Sequence, residues 1–329
     1  MSWIERRALL QKIEKSRDSR ALLYVTGDRP KLETKIHSEV LDLFVDHLDN
    51  CGVTKRISLI LYTRGGDGIA AWSLFNLVRM YCDELEVIVP MRAHSAGTMI
   101  AIGADRIIMT KQSSLSPIDP SLNHPLAPRN PGNSSSRIPV SVEAIAGYLD
   151  LARDTLGAET SEPAMEQTML DLARQVHPLV LGETYRRRQQ TQLLAEKLLK
   201  PQVPNADDRN RIISFLSSDS GSHDYTLNRR EAAALGLPVV KCPARLYPLI
   251  RQLYCDFRDE MCLRVPFDAF QFPPNATTPF TNVRAIIEST AANPMHYMSA
   301  GNYVRQPGST PDKEETWVQT LTEGWVARD

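Results

Sequence analysis

Between residues 21 and 110 the chain alternates short, nearly all-apolar runs with longer stretches of helical periodicity. "ALLYVTG" (21–27), "RISLILYT" (56–63), "LEVIVP" (85–90) and "RIIMT" (106–110) are the apolar runs. Each is short enough for a strand and rich in β-branched residues. A strand that is apolar at every position must be covered on both faces, which is the condition of a parallel sheet sandwiched by helices. The intervening segments 33–52, 69–82 and 95–104 read as those helices, the first with Ile36, Val40, Leu43, Phe44 and Leu48 on one face. Strand–helix alternation at this spacing argues for βαβ units, hence an α/β fold with a mainly parallel sheet.

After Thr110 the pattern changes. Residues 116–139 are rich in Pro, Ser and Asn and read as an inserted loop. The stretch 142–220 carries helical pattern throughout, at 142–156, at 164–176, in a long polar segment through Lys200, and at 208–220. A short helix should follow Asn228, with Glu231 completing a capping box and Gly236 closing it. Residues 3–16 and 244–261 suit further helices and 282–289 a late strand. The expectation is one domain over 1–290 with these two insertions, and a C-terminal extension, 291–329, that is polar and partly mobile from about 305.

Composition narrows the function. The 329 residues are 42% hydrophobic and 23% charged with a formal net charge of −1, so no global charge draws the chain to nucleic acid or an anionic membrane. No apolar run is long enough for a membrane span. The N-terminal stretch is charged and lacks the apolar region of a signal peptide, which points to the cytoplasm. The five cysteines, Cys51, Cys82, Cys242, Cys255 and Cys262, are scattered, with no C-x-x-C pair. Neither a disulfide framework nor a metal site is expected of them. No cofactor motif is present, and no Walker pattern.

Two loops carry candidate chemistry. In "YTRGGDG" the pair Gly65–Gly66 follows a buried strand, where glycine allows backbone N–H groups to face a ligand or simply makes a tight turn. In "RAHSAGTMIAIGADRI" Ser95 heads an apolar helix. A serine there is an N-cap in the bland reading. In the chemical reading it is a nucleophile whose oxyanion the Ala96 amide would stabilise. In a parallel sheet both loops emerge at the same strand ends.

These two segments, followed in order by "HDYTLNRREAAALGL" (223–237), resemble the serine dehydrogenase proteinase family of the Clp-protease and crotonase superfamily. The resemblance spans about residues 20–290 and is strongest across 56–122 and 222–238. It implies a ββα-superhelix fold, a homo-oligomer, and hydrolysis of peptide bonds through a serine. By position it makes Ser95 the nucleophile, Gly65, Gly66 and Ala96 the oxyanion hole. The chain departs from the Clp pattern in one respect. Clp peptidases have a histidine where this sequence reads "SPIDPSL", with Asp119 in its place, and an aspartate where this sequence has both His223 and Asp224. The inference is a triad with two members exchanged: Ser95, His223 as base and Asp119 orienting the imidazole. Roles and not chain order define a triad, so the exchange is chemically allowed.

Alternatives remain open at this stage. Asp224 is the rival orienter, with a turn carboxylate as its bland reading. Lys111 is a rival base, because related proteases similar to signal peptide peptidase A use Ser–Lys dyads in which the lysine is desolvated. His94 should point away from its neighbour Ser95, and His124 lies in the Pro-rich loop. His37 and His47 read as helix-face residues, Asp67 as a helix cap, and Arg186–Arg188 as a solvated face or a subunit contact. A crotonase-like acyl-thioester enzyme and a non-catalytic assembly module are the competing functions.

Overall fold

The computed structural model describes residues 3–119, 121–122, 124–130, 132–156, 162–268, 277–307 and 314–328. In chain order the first elements are α1 (Trp3–Arg17), β1 (Arg20–Thr26), α2 (Val40–Cys51), β2 (Thr54–Tyr62), α3 (Gly68–Arg79), β3 (Cys82–Val89), β4 (Arg92–Ala93), α4 (Ala96–Ile102), β5 (Arg106–Met109) and β6 (Ser114–Leu115). A middle group follows: β7 (Ser121–Leu122), β8 (Arg129–Asn130), β9 (Asn133–Arg137), β10 (Val140–Ser141), α5 (Val142–Leu156), α6 (Glu162–Gln175), α7 (Pro178–Leu199) and α8 (Ala206–Ser214). The chain then forms β11 (Leu227–Asn228), α9 (Arg229–Leu235), β12 (Val239–Lys241), α10 (Tyr247–Glu260), β13 (Thr277–Ser289), β14 (Met295–Pro307) and β15 (Glu314–Ala327). It divides into two compact units, one of residues 1–115 with 227–329, the other of residues 116–226.

The first unit is built on an eight-stranded sheet of order β12-β5-β3-β2-β1-β13-β14-β15. The five strands from β12 to β1 are mutually parallel, and β13, β14 and β15 add antiparallel strands beyond β1. A small second sheet, β11-β6-β4, completes the unit. The apolar runs have the burial they were expected to have. In β1, Leu23 and Val25 join Leu10 and Ile13 of α1 and Leu253 and Phe257 of α10 in one cluster. From the opposite face Tyr24 meets Phe44 of α2 edge-on at 5.3 Å. Helices thus cover both faces, and β1 is buried from Ala21 onward because neither side of its pleat meets water.

Some expectations differ from the structure. The helix expected over 33–52 begins only at Val40. Upstream of it the Ile36 backbone is committed elsewhere, donating to Gly65 O and accepting from Asp67 N, both at 2.9 Å, so it cannot enter a helical ladder. The polar C-terminal stretch contains β14 and β15, paired from Met295 with Ala327 to Pro307 with Glu314. Since β14 also pairs with β13, these strands extend the main sheet, where antiparallel strands can bury one face and leave the other polar.

The second unit holds the two-stranded pair β8–β9 within the segment expected as loop, the pair β7–β10 that joins this segment to the residues just after it, and helices α5 to α8. One of its buried clusters is small, comprising Leu122, Ala127, Val140 and Val180. A π turn, Phe215–Asp219, continues α8.

Candidate active site

The glycine turn is shaped by contacts on every side. Gly65 has φ 112° and Gly66 φ 153°, values that other residues rarely adopt. A side chain on Gly66 would fall 2.3 Å from Ile36 O, and one on Gly65 would fall 2.8 Å from Ser95 Cβ and 3.3 Å from Ala96 N. The turn therefore packs directly against the start of α4. The Gly65 N–H donates to Thr63 Oγ1 at 2.9 Å, so this glycine contributes shape, while no acceptor for the Gly66 N–H is found among the described residues. The Ala96 N–H is the first of α4, where no carbonyl one turn back exists to accept it. Asp67 caps α3, accepting from Ile69 N at 2.7 Å and Ala70 N at 3.0 Å, so its carboxylate is committed to structure.

Ser95 occupies φ 50°, ψ −113° and makes no side-chain cap to its own helix. The bland reading of Ser95 as an N-cap is therefore not realised. Strand β4 delivers it: Thr63 N donates to Arg92 O and His94 N to Thr63 O, each at 3.1 Å, which fixes β4 beside the end of β2. Arg92 is held in turn by Asp28 at 2.9 Å, and Asp28 also accepts from Tyr62 Oη at 2.9 Å. The neighbouring His94 hydrogen-bonds Ser114 Oγ through its Nε2 at 2.8 Å.

Lys111, the rival base, is exposed, with its ammonium 5.5 Å from the Tyr247 ring centre. The desolvation that a dyad lysine requires is missing there. Of the other histidines, His37 precedes α2 and is exposed. His47 is fully buried, with Nδ1 against Ser289 Oγ at 2.8 Å. Burial lowers its pKa to about 4. His124 accepts from Leu126 N within its own loop at 3.0 Å. Arg187 and Arg188 pair with Glu183 and Glu143.

In the second unit His223 Nδ1 hydrogen-bonds Asp119 Oδ1. The Asp119 side chain is 7% exposed and the His223 side chain 49%. An ionised carboxylate only accepts, so this contact places the imidazole proton on Nδ1 and the lone pair of the neutral ring on Nε2. Asp224 is exposed, and its N–H donates to Ser222 Oγ at 3.2 Å, as in a turn. Asp119, not Asp224, is the carboxylate on the ring.

Sequence reasoning did not single out Thr26, Thr63 or Ile36. The hydroxyl residue two places before the glycine pair was the available signal for Thr63. The backbone role of Ile36 leaves no signal in one dimension. Among the described residues no group of three or more His, Cys, Asp or Glu side chains is arranged to hold a metal ion, and no helix is long and apolar enough to cross a membrane.

Residues 47–130 match the model of the ClpP-like SDH-type serine proteinase family, which bears out the resemblance read from the glycine and serine loops. His223 lies beyond the matched segment. Two uncharacterized proteins of Methanocaldococcus jannaschii are similar. One is 30% identical over 203 residues, 61% of this chain and 59% of its own length. The other is 25% identical over 199 residues, 60% and 56% respectively. The chain thus spans less than two thirds of either relative. Among solved structures, a mutant of the 1510-N membrane-bound stomatin-specific protease is 17% identical, with 69% of this chain and 83% of that one covered at a TM-score of 0.39. ClpP1 from Listeria monocytogenes is 13% identical, with 71% and 99% covered at a TM-score of 0.37. At these scores the likenesses add nothing to the fold established by the strand order itself.

Proposed function

We propose that this protein is a serine-type peptidase in which Ser95 attacks the scissile carbonyl. His223 serves as general base and Asp119 orients it. The observation that carries the reading is Ser95 itself: a serine at positive φ at the head of α4, packed against a glycine turn within the segment matched to a serine proteinase family. The paired His223 and Asp119 supply the chemistry such a hydroxyl lacks.

In the proposed reaction the Ser95 Oγ–carbonyl bond forms as its proton passes to His223 Nε2. The tetrahedral oxyanion accepts hydrogen bonds from the Gly66 and Ala96 amides. Collapse breaks the peptide C–N bond, and the leaving amine takes the proton from the imidazole. Water, losing a proton to the same nitrogen, then attacks the ester and releases the acid, restoring Ser95. Asp119 stays ionised throughout and holds the ring in the tautomer that can accept. The substrate in this reading is a peptide or protein, and assembly into a cytoplasmic homo-oligomer belongs to the same reading.

The test is covalent labelling. A fluorophosphonate should add to wild-type protein at a single site, placed at Ser95 by peptide mass mapping. It should fail to add to Ser95→Ala. Peptide turnover should fall at least ~1,000-fold in both Ser95→Ala and His223→Ala. Equal labelling of wild type and Ser95→Ala, or coenzyme A binding without any peptide turnover, would reject the proposal.

A further inference from the structure

Thr63 occupies an unusual position between the two amides assigned above. Its side chain and that of Thr26 are buried, at 0% and 1% exposure. The Thr63 hydroxyl accepts from Gly65 N at 2.9 Å and from the Thr26 hydroxyl at 2.6 Å. Its methyl group faces the other wall: a side chain on Gly97 would meet Thr63 Cγ2 at 2.4 Å, so the Gly97 backbone rests on that methyl. Its own backbone pairs on both sides with β4, through Arg92 O and His94 N. One residue therefore touches the glycine turn, the strand leading to Ser95, and the first turn of α4.

The consequence concerns the Gly66 N–H. Gly65 is held at its N–H by Thr63 Oγ1 and at its carbonyl by Ile36 N, 2.9 Å away. With both polar groups of Gly65 anchored, the peptide joining Gly65 to Gly66 has little freedom to rotate, and the Gly66 N–H has one direction. The Thr63 hydroxyl also donates to Gly65 O at 3.4 Å, so it grips both polar groups of the glycine, and the hydrogen bond from Thr26 keeps it aimed there. Donors fixed before the reaction need no reorganisation as charge develops, which is the source of their effect on rate.

We infer that Thr63, braced by Thr26, is a positioning residue that keeps the Gly66 and Ala96 amides in register for the oxyanion. The inference rests on the peptidase reading. It assigns Thr63 no contact with substrate, and it predicts an effect on the chemical step and not on ground-state binding.

The experiment compares Thr63→Val, Thr63→Ser and Thr26→Val with wild type on a fluorogenic peptide that wild type cleaves, measuring kcat, KM and thermal midpoint. Val keeps the shape of Thr63 and removes the hydroxyl. Ser keeps the hydroxyl and removes the methyl. Losing an oxyanion donor outright lowers kcat by about 100- to 1,000-fold, so mispositioning one should lower it by at least about tenfold. Thr63→Val is expected to lose that much kcat with KM unchanged. Thr63→Ser should recover most of the rate even where its midpoint falls, and Thr26→Val should lie between. A folded Thr63→Val with wild-type kcat overturns the inference, as does a Thr63→Ser that is as slow as Thr63→Val. If Thr63→Val does not fold, Thr26→Val decides, and wild-type kcat in that variant overturns the inference. Wild-type protein that cleaves no peptide and takes no fluorophosphonate instead overturns the peptidase reading, and the positioning role falls with it.

Discussion

Ser95 holds a backbone conformation that costs a non-glycine residue on the order of 1–3 kcal/mol, and such strain persists only where the surroundings enforce it. Here Gly65 packs against Ser95 and the adjoining Gly66 against Ile36, which predicts how substitutions in the turn behave. In Gly66→Ala the new methyl would lie 2.3 Å from Ile36 O and 2.4 Å from Ile36 N, atoms that cannot move aside without opening the bridge. The expected cost is about 3 kcal/mol of stability, from overpacking and from the positive φ together. Gly52→Ala is the control. It also has positive φ, 67° with ψ 172°, but nothing lies within 4 Å of the added methyl, so the conformational cost, on the order of 1–2 kcal/mol, applies without overpacking. Urea denaturation of both variants measures the difference. Equal losses would mean that the turn yields to the added methyl. The residue types that carry this chemistry were legible because few other roles explain a glycine pair and a helix-heading serine at successive strand ends. The Asp119–His223 contact joins positions 104 apart in sequence and was legible only through the family resemblance. Thr63 was not legible, since a threonine at a strand end is commonplace.

At the level of elements, the strands of the parallel sheet were legible from their apolar runs and β14 and β15 were not, because antiparallel strands toward a sheet edge can keep one face polar. Ionic burial was also hidden. Arg6 on α1, 1% exposed, donates to Glu288 on β13 and to Asp256 and Glu260 on α10, replacing water around a charge that an amphipathic pattern would place outside. Burial pushes the Glu288 carboxyl up, but the hydrogen bonds from His296 and Arg6, with their charges, more than offset it and hold it below the usual range. The contact between α2 and β13 gives a sharper prediction. His47 is buried and its pKa is lowered to about 4 by desolvation, so the folded protein holds it neutral where the unfolded chain protonates it. A histidine with a lowered folded-state pKa contributes stability that is complete above the unfolded value of about 6.5 and declines as pH falls toward the folded value. The total loss between those limits is on the order of 3 kcal/mol. Urea midpoints at pH 7.5 and pH 5 should show wild type losing more stability on acidification than His47→Gln. The same pH slope in both proteins would mean that His47 already binds its proton in the folded state.

At the scale of the whole molecule, fold class followed from the alternation of periods, which reports burial on both faces of a sheet, and it was legible wherever that burial is complete. Residues 116–226 have less of it, and their short strands 121–122, 129–130 and 133–137 were expected only as loop. The same contrast in burial predicts a contrast in local stability. The strands β1, β2 and β3 are buried from end to end apart from their first residues, and their backbone bonds can open to solvent only when the surrounding core of the first unit separates. In α6, by comparison, Thr168 is the only buried residue among those described, and Met169 and Leu170 are 43% and 49% exposed. Opening that helix uncovers little apolar surface, so its free energy of opening lies far below that of global unfolding. Hydrogen–deuterium exchange followed by mass spectrometry should therefore show peptides from α6 reaching full exchange first, at least ~100-fold sooner than peptides from 57–62 and 85–89. The helix α8, which buries Arg209, Ile212 and Ile213 with Arg209 bound to Glu196 and to Val203 O, should be intermediate. Uniform protection across α6 and the central strands would require α6 to bury its exposed apolar side chains against another surface, such as a second copy of the chain. Dilution below the assembly concentration should then restore the fast exchange.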